Sequence, residues 1–120
     1  MSHIVTIQTK LRDALAIAAA CSRLHIDPPV HDTVPLYQGP ATGLVVRLRD
    51  WRYPVVVDTT TGTTRYDNYE GAWGDPARLN ELLQAYAVEK ARIEARRKGL
   101  TVREQSLGDG SIRLLVTEGV

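Results

Sequence analysis

Residues 75–99 read DPARLNELLQAYAVEKARIEARRKG, and this stretch decides the fold. Asp75 can cap a helix, and Pro76 fits the first turn, where its missing backbone donor costs nothing. Three cations precede Gly99, which is typical of a helix C-terminus. Apolar residues recur at helical spacing, namely Leu79, Leu82, Leu83, Tyr86 and Ile93. The stretch therefore predicts a helix of about six turns with one apolar face.

Upstream of this helix, the sequence predicts a meander of β-strands. Residues 44–49 alternate between two faces and residues 55–57 follow after a short connection, so the two segments predict a hairpin. Leu44, Val46 and Leu48 are expected inward, and Val45, Arg47 and Arg49 outward. Residues 63–68 follow a Thr-Thr-Thr-Gly turn and predict a third strand.

The N-terminal third of the chain predicts a strand, a helix and an edge strand. Residues 3–11 alternate apolar and polar side chains, as in a half-buried strand. A helix is predicted over residues 14–24, and a Pro-Pro pair ends it near residue 25. Residues 33–37 are broken by Pro35, which predicts an edge strand or an extended connection rather than a central strand.

Two further strands are expected after the long helix. Residues 101–105 and 111–116 flank a Gly-Asp-Gly turn and predict a closing hairpin. No compositional break divides the sequence, so residues 1–120 are expected to form a single domain. The order of elements predicts an α+β fold, a two-layer sandwich in which a mainly antiparallel sheet of five to seven strands carries two helices on one face.

Composition and charge are those of a soluble globular protein. The chain has 120 residues, of which 43% are hydrophobic and 24% charged. A formal net charge of +1 argues against a protein whose main role is to coat nucleic acid or an anionic membrane. The single cysteine, Cys21, lies in an apolar stretch and favours a reducing compartment. The sequence shows no secretory signal and no apolar run of about 20 residues, so we expect a cytoplasmic protein with no membrane contact.

Short motifs along the whole chain resemble those of one family of small proteins. The motifs are Met1-Ser2-His3, Ile7-x-Thr9-Lys10-Leu11-Arg12-Asp13, Trp73-Gly74, Tyr86-Ala87 with Lys90, Gly99-x-Thr101-Val102 and Asp109-Gly110-Ser111-Ile112-Arg113-Leu114. In this order and spacing the chain is similar to domain-of-unknown-function family 1257, which includes conserved proteins of algal plastids and cyanobacteria. Ile4 and Ala72 depart from the family, whose members often carry aromatic residues at these places.

The resemblance implies a fold and a cytoplasmic or plastid-like setting, and it implies no reaction. Members of the family look like neighbours of an AAA-type ATPase in some genomes, which implies an accessory role. A role that depends on a pair of aromatic residues is not implied, because of the departures at Ile4 and Ala72.

Cysteine and histidine offer only a weak case for a metal site. Cys21, His25 and His31 lie close in sequence, but the Pro-Pro break intervenes and no further ligand completes a tetrahedral set. We therefore expect no metal and no cofactor. The sequence also lacks a nucleophile elbow and a phosphate-binding loop. A small enzyme acting through His3 and a nearby carboxylate stays open as a lesser alternative.

Aromatic residues are concentrated in one part of the sequence. Five of the seven lie between residues 51 and 73. Four of them are candidates for binding a protein partner: Trp51, Tyr53, Tyr69 and Trp73. For Trp73 alone, we favour the alternative that it plugs one end of the core beneath the long helix. The leading hypothesis is an accessory or adaptor protein that acts by protein–protein binding, with self-association as a further option.

Basic residues support an alternative function. The candidates for binding nucleic acid are Arg47, Arg49, Arg96, Arg97 and Lys98. Such residues can contact phosphate groups. Cations at the end of a helix also interact favourably with its dipole, so a solvated face is the simpler interpretation of the last three.

Overall fold

A computed structural model describes residues 5–8 and 11–118 and shows an α+β protein. The elements are β1 (Val5–Gln8), α1 (Ala14–Arg23), β2 (Val30–Leu36), β3 (Gly39–Val46), β4 (Val55–Asp58), β5 (Thr63–Tyr66), α2 (Pro76–Arg97), β6 (Leu100–Ser106) and β7 (Ile112–Glu118). A short 3-10 turn, Tyr69–Gly71, precedes α2. The predicted fold class and both predicted helices are confirmed.

The main sheet is an antiparallel meander of β2 to β5, with β1 paired to β5 at one edge. The spatial order is β1-β5-β4-β3-β2. The predicted hairpin of β3 and β4 is present, and Val45 pairs with Val56 in it. The strand with Pro35 lies at the opposite edge, as predicted, because a residue without a backbone donor is tolerated there.

Both helices begin at an aspartate cap, Asp13 for α1 and, as predicted, Asp75 for α2. The carboxylate of Asp13 accepts hydrogen bonds from the backbone N–H groups of Leu15 and Ala16 at 3.0 and 3.3 Å. Asp75 accepts one from the N–H of Ala77 at 2.9 Å. The other carboxylate oxygen of Asp13 accepts from Lys90 at 3.1 Å, which ties the start of α1 to α2.

The main core lies between the sheet and the two helices. This side of the sheet, the helix side, carries Val46, Val55 and Val57, which are almost fully buried. The helices contribute Ala16, Ile17, Ala20, Cys21, Leu79, Leu82, Ala85 and Tyr86. The predicted apolar face of α2 therefore packs as expected, and its burial is the main source of stability.

The opposite side of the main sheet, the outer side, carries a second apolar cluster, and here the sequence prediction is wrong. Val45 was expected to face solvent beside Arg47 and Arg49, yet it is only 5% exposed. It packs with Val34, Leu36, Ala41 and Val56, and Tyr53 lies against the group. Gly43 allows the close approach of β3 to β4, since a Cβ there would lie 2.6 Å from the carbonyl oxygen of Val57.

The closing hairpin forms a separate sheet, so the expectation of one sheet of up to seven strands is wrong in this respect. β6 and β7 pair only with each other. They pack against α2, and Glu104 accepts hydrogen bonds from Arg23 and Arg92. None of the described residues from 96 to 118 is buried. The hairpin is thus held on the helix layer by polar contacts and partial burial.

The α-helices within the described residues are α1 and α2. Neither is apolar over a length that would cross a bilayer.

Candidate docking surface

Trp51 and Trp73 lie on different sides of the main sheet. Trp51 is half-buried and packs against the main core, with its ring edge-on to Tyr66 at 5.5 Å between centroids. Its indole N–H donates to the carbonyl oxygen of Asp75 at 2.9 Å. A Cβ on Gly74 would lie only 2.4 Å from the indole. Trp51, rather than Trp73, therefore fills the place beneath the start of α2.

Trp73 is the centre of an aromatic group that continues the second apolar cluster. Its ring lies 4.9 Å from that of Tyr69, 5.3 Å from Tyr37 and 5.5 Å from Tyr53, between centroids. Tyr53 also packs against the outer-side cluster, which places the group on that side of the sheet. Trp73, Tyr53 and Tyr69 are half-buried, whereas Tyr37 is 59% exposed. We call Tyr37, Arg52, Tyr53, Tyr69 and Trp73 the Trp73 cluster.

Arg52 lies over two rings of this cluster. Its guanidinium carbon is 4.9 Å from the centroid of Trp73 and 5.8 Å from that of Tyr53. The two rings are inclined at 59° to each other, so both direct a face toward the same cation. The backbone N–H of Arg52 also donates to the carbonyl oxygen of Trp73 at 2.8 Å. Arg52 is exposed and forms no ion pair with any residue that the structure describes.

The loop that carries Trp73 has an unusual backbone. Tyr69, Glu70 and Gly71 have φ values of 48°, 54° and 97°, so three consecutive residues are left-handed. The carbonyl oxygen of Asn68 accepts from the N–H groups of Gly71 and Trp73, at 3.0 and 2.8 Å, and holds this turn closed. A left-handed tyrosine is strained, and such strain persists where function or surrounding structure requires it.

Asp67, at the start of this loop, is unusual for a charged residue because of its burial. Its side chain is fully buried, and neither carboxyl oxygen has a hydrogen-bond partner among the described residues. Asp67 lies just beyond the end of β5, which the structure gives as Thr63–Tyr66. A buried polar group without a partner is costly and calls for an explanation.

Of the basic candidates, Arg47 lines an open pocket beside Asp27 and Asp32, and the others form two groups at opposite ends of α2. Arg49 lines a small cavity of about 50 Å³ with Arg78, near the start of the helix. Arg96, Arg97 and Lys98 are exposed at its end. At 1.5 Å per residue, Arg78 and Arg97 are roughly 28 Å apart along the axis. The two groups therefore do not form one continuous basic patch.

The cysteine and histidine candidates do not assemble into a site. Cys21 is fully buried, and burial raises the pKa of its thiol to about 11. His25 and His31 are exposed. No cluster of three or more metal-ligating side chains is present among the described residues, and His3 lies outside them.

Three of the five members of the Trp73 cluster, namely Tyr53, Tyr69 and Trp73, are among the partner-binding residues predicted from the sequence. Tyr37 was missed because it lies outside the aromatic segment and meets the cluster only through the fold. Arg52 was considered only as an extension of the basic cluster for nucleic-acid binding, although it adjoins Tyr53, and Asp67 gave no signal beyond its position after a strand. Trp51 was grouped with the others by proximity along the chain.

Comparison of the chain with protein-family models, with curated proteins and with solved structures finds no match. The resemblance to family 1257 therefore stays a prediction from the motifs.

Proposed function

We propose that this protein is a non-enzymatic accessory protein that binds another protein through the Trp73 cluster. The observation that carries the proposal is the half-exposed group of one tryptophan, three tyrosines and one arginine on the outer side of the sheet. Tryptophan, tyrosine and arginine are the residues most enriched at the energetic centres of protein interfaces. Their rigid rings bury a large area at a small cost in conformational entropy.

Two further features support a binding role for this surface. The left-handed turn at Tyr69–Gly71 and the unpartnered carboxyl group of Asp67 are both unfavourable for the isolated fold. Both lie in the loop that presents Trp73. Unfavourable features that gather in one loop are typical of a surface whose purpose is recognition.

The resemblance to family 1257 extends the proposal to its setting. It favours an accessory role beside an AAA-type ATPase, in a cytoplasmic or plastid-like compartment. The near-neutral charge and the division of the basic residues into two groups favour a protein partner over nucleic acid. Nucleic-acid binding through Arg47, Arg49 and the basic end of α2 is the second candidate.

The proposal is tested by recovering partners from the native host with the double variant Tyr37→Ala/Arg52→Ala. Both side chains are exposed, so the variant should keep its melting temperature within a few degrees of the wild type. We expect a protein that the wild type retains to be lost. The matched control is Leu15→Ala, an equally exposed apolar residue on α1 at 66% exposure, which should retain it.

Equal recovery by the double variant and the control would refute the assignment of the surface. Treatment of the same extracts with nuclease tests the second candidate function, nucleic-acid binding. If the retained material disappears with nuclease, and reversal of Arg96 and Arg97 to Glu releases it, the protein is a nucleic-acid-binding module instead.

A further inference from the structure

We infer that the groove between the C-terminal half of α2 and the free edge of β6 binds an extended acidic peptide segment. The segment adds a strand to β6 and places a carboxylate against Arg92 and Arg96. Three observations carry the inference, namely an open cavity, the two guanidinium groups that line it, and a strand edge with unpaired backbone groups. The site lies on the helix layer, away from the Trp73 cluster, and does not depend on the proposed function.

The cavity follows the edge of β6 rather than one of its faces. It has a volume of about 300 Å³ and is lined by Arg92 and Arg96 of α2 and by residues 100–102 of β6. Successive side chains of a strand point to opposite faces, so a cavity that borders three consecutive residues runs along the backbone. Among the residues that the structure describes, none of those lining the cavity comes from β7. The cavity therefore lies at the edge of β6 that faces away from β7.

This edge of β6 offers hydrogen-bond donors and acceptors to a peptide. The backbone N–H of Leu107 donates to the carbonyl oxygen of Ser111 at 2.9 Å, so Leu107 directs its backbone groups toward β7. In an antiparallel pair this direction alternates from one residue to the next, and the register of β6 and β7 is continuous. The N–H and C=O groups of Leu100 and Val102 therefore point away from β7. Within the described part of the chain, β6 pairs with no other strand.

The edge of the main sheet at β2 shows that an open edge is not general in this protein. Pro35 has no backbone donor, and the N–H of Thr33 donates to the carboxylate of Asp32 at 2.8 Å. Both features discourage the addition of a strand to β2. Residues 100–102 of β6 carry neither a proline nor such a side-chain contact from an aspartate. Of these two edges, that of β6 is the one that can accept a peptide strand.

The helix side of the groove determines the charge of the ligand. Arg92 and Arg96 lie one turn apart on α2, and like charges at this spacing repel each other. Arg92 donates to the carboxylate of Glu104 at 2.8 Å, and Glu104 also accepts from Arg23. Arg96 forms no ion pair with any described residue. A carboxylate in the groove supplies the partner that Arg96 lacks and relieves the repulsion.

The backbone groups favour a peptide over a phosphate. A phosphate group accepts hydrogen bonds from the two guanidinium groups but cannot donate to the carbonyl oxygens of Leu100 and Val102. An extended peptide both donates and accepts along a strand edge, and its acidic side chains reach the arginines on the helix side. The ligand that satisfies both sides of the groove is therefore an acidic segment in the β conformation.

The test is a fluorescence-anisotropy titration of a labelled peptide with the full chain, at constant ionic strength. The probe is the capped pentapeptide Thr-Glu-Thr-Glu-Thr, whose two glutamates share one side of an extended chain. One control replaces both glutamates by glutamine and removes the charge. A second control carries the glutamates but is N-methylated at every backbone amide, so it cannot donate to β6. We expect saturable binding of the unmodified acidic peptide only.

Two matched variants of the chain locate the binding. Arg96→Gln removes the guanidinium group that has no partner, and it should raise the Kd of the acidic peptide about fivefold or more. Arg97→Gln makes the same change of charge one residue further along, at an exposed side chain outside the cavity lining. It should change the Kd less than about twofold, because only screened, longer-range attraction is lost. Both side chains are exposed, so both variants should keep the melting temperature of the wild type.

Four results would overturn the inference. Equal binding of the N-methylated peptide would show that charge alone is read, without strand addition. Displacement of the acidic peptide by an equal concentration of inorganic phosphate would assign the groove to phosphate groups and favour nucleic-acid binding. An equal rise in Kd for Arg96→Gln and Arg97→Gln would show a diffuse basic surface rather than a site, and titration without saturation would show no site. None of these results alters the partner-recovery test of the Trp73 cluster.

Discussion

Trp51 packs against the main core of the fold, whereas Trp73 belongs to the surface that we propose binds a partner. Trp51 lies on the helix side, where its indole N–H donates a hydrogen bond to the carbonyl oxygen of Asp75. Its ring lies so close to Gly74 that a side chain there would clash with it. Trp73 lies on the outer side among tyrosines, under an arginine without an ion pair among the described residues. Residues that are close in sequence and alike in type thus occupy different surroundings on the two sides of the sheet.

The carboxyl groups of Asp13 and Asp67 differ in whether they have hydrogen-bond partners. On the helix side, the carboxylate of Asp13 is used fully, by two backbone N–H groups and by Lys90. In the loop after β5, Asp67 is more deeply buried than Asp13 and its carboxyl group has no hydrogen-bond partner among the described residues. Polar groups that complete the fold are paired, whereas a group kept unpaired at a cost is a candidate for recognition.

The largest expected effect is that of Trp51→Ala. Removing an indole from the edge of the main core leaves a cavity beneath α2 and should lower the free energy of unfolding by about 3 kcal/mol. Chemical denaturation followed by circular dichroism measures it. A loss below about 1 kcal/mol would mean that Trp51 is not a core residue and does not differ from Trp73 in this respect.

Trp73→Ala should have a smaller effect. Its ring is half-buried among three tyrosines that are themselves half-buried or exposed, so water can fill the space that the ring leaves, and the free energy of unfolding should fall by about 1–2 kcal/mol. The same denaturation experiment gives the value. A loss equal to that of Trp51→Ala would assign both tryptophans to the fold.

Asp67→Asn should change stability in the opposite direction. An amide is less costly to bury without a partner than a carboxylate, so we expect a gain of about 1 kcal/mol. Differential scanning calorimetry of the variant beside Asp58→Asn measures the shift in melting temperature. Destabilisation would indicate a structural partner for Asp67 and would weaken its contrast with Asp13.

The smallest expected effect is a loss of stability at low pH that depends on Asp13. Burial alone would raise the pKa of Asp13, but the hydrogen bond from Lys90 and the two capping bonds hold it below the ordinary value of 3.8. Because the folded-state pKa is depressed, this contribution is complete above pH 3.8 and is lost as the pH falls through the lower folded value. Asp13→Asn keeps a capping side chain and should flatten the fall in stability below pH 4, measured by denaturation at several pH values. An unchanged slope would show that Asp13 is not the group that titrates.

The sequence was most informative where local chemistry decides the structure. The start of α2 follows from the cap at Asp75 and the proline after it, and the edge position of β2 follows from Pro35. The outward prediction for Val45 failed because strand alternation distinguishes two sides but does not say that one is solvated. The separate closing hairpin could not be foreseen, since its alternation pattern is the same whichever sheet it joins.

The candidate site was predictable only in its aromatic part. Tyr53, Tyr69 and Trp73 are recognisable by type and proximity along the chain. Tyr37 reaches the cluster from the turn between β2 and β3, and the burial of Asp67 depends on how the loop after β5 packs. Contacts between distant segments, and the absence of a partner for a polar group, are properties of the folded structure.

The most direct test of the central claim is photo-crosslinking in the native host from a benzoylphenylalanine placed at Tyr37, compared with one placed at Leu15. Both positions are exposed, but only the first lies in the Trp73 cluster. The account predicts one discrete protein adduct from position 37 and none from position 15. Adducts of equal yield from both positions, or from position 15 alone, would contradict it.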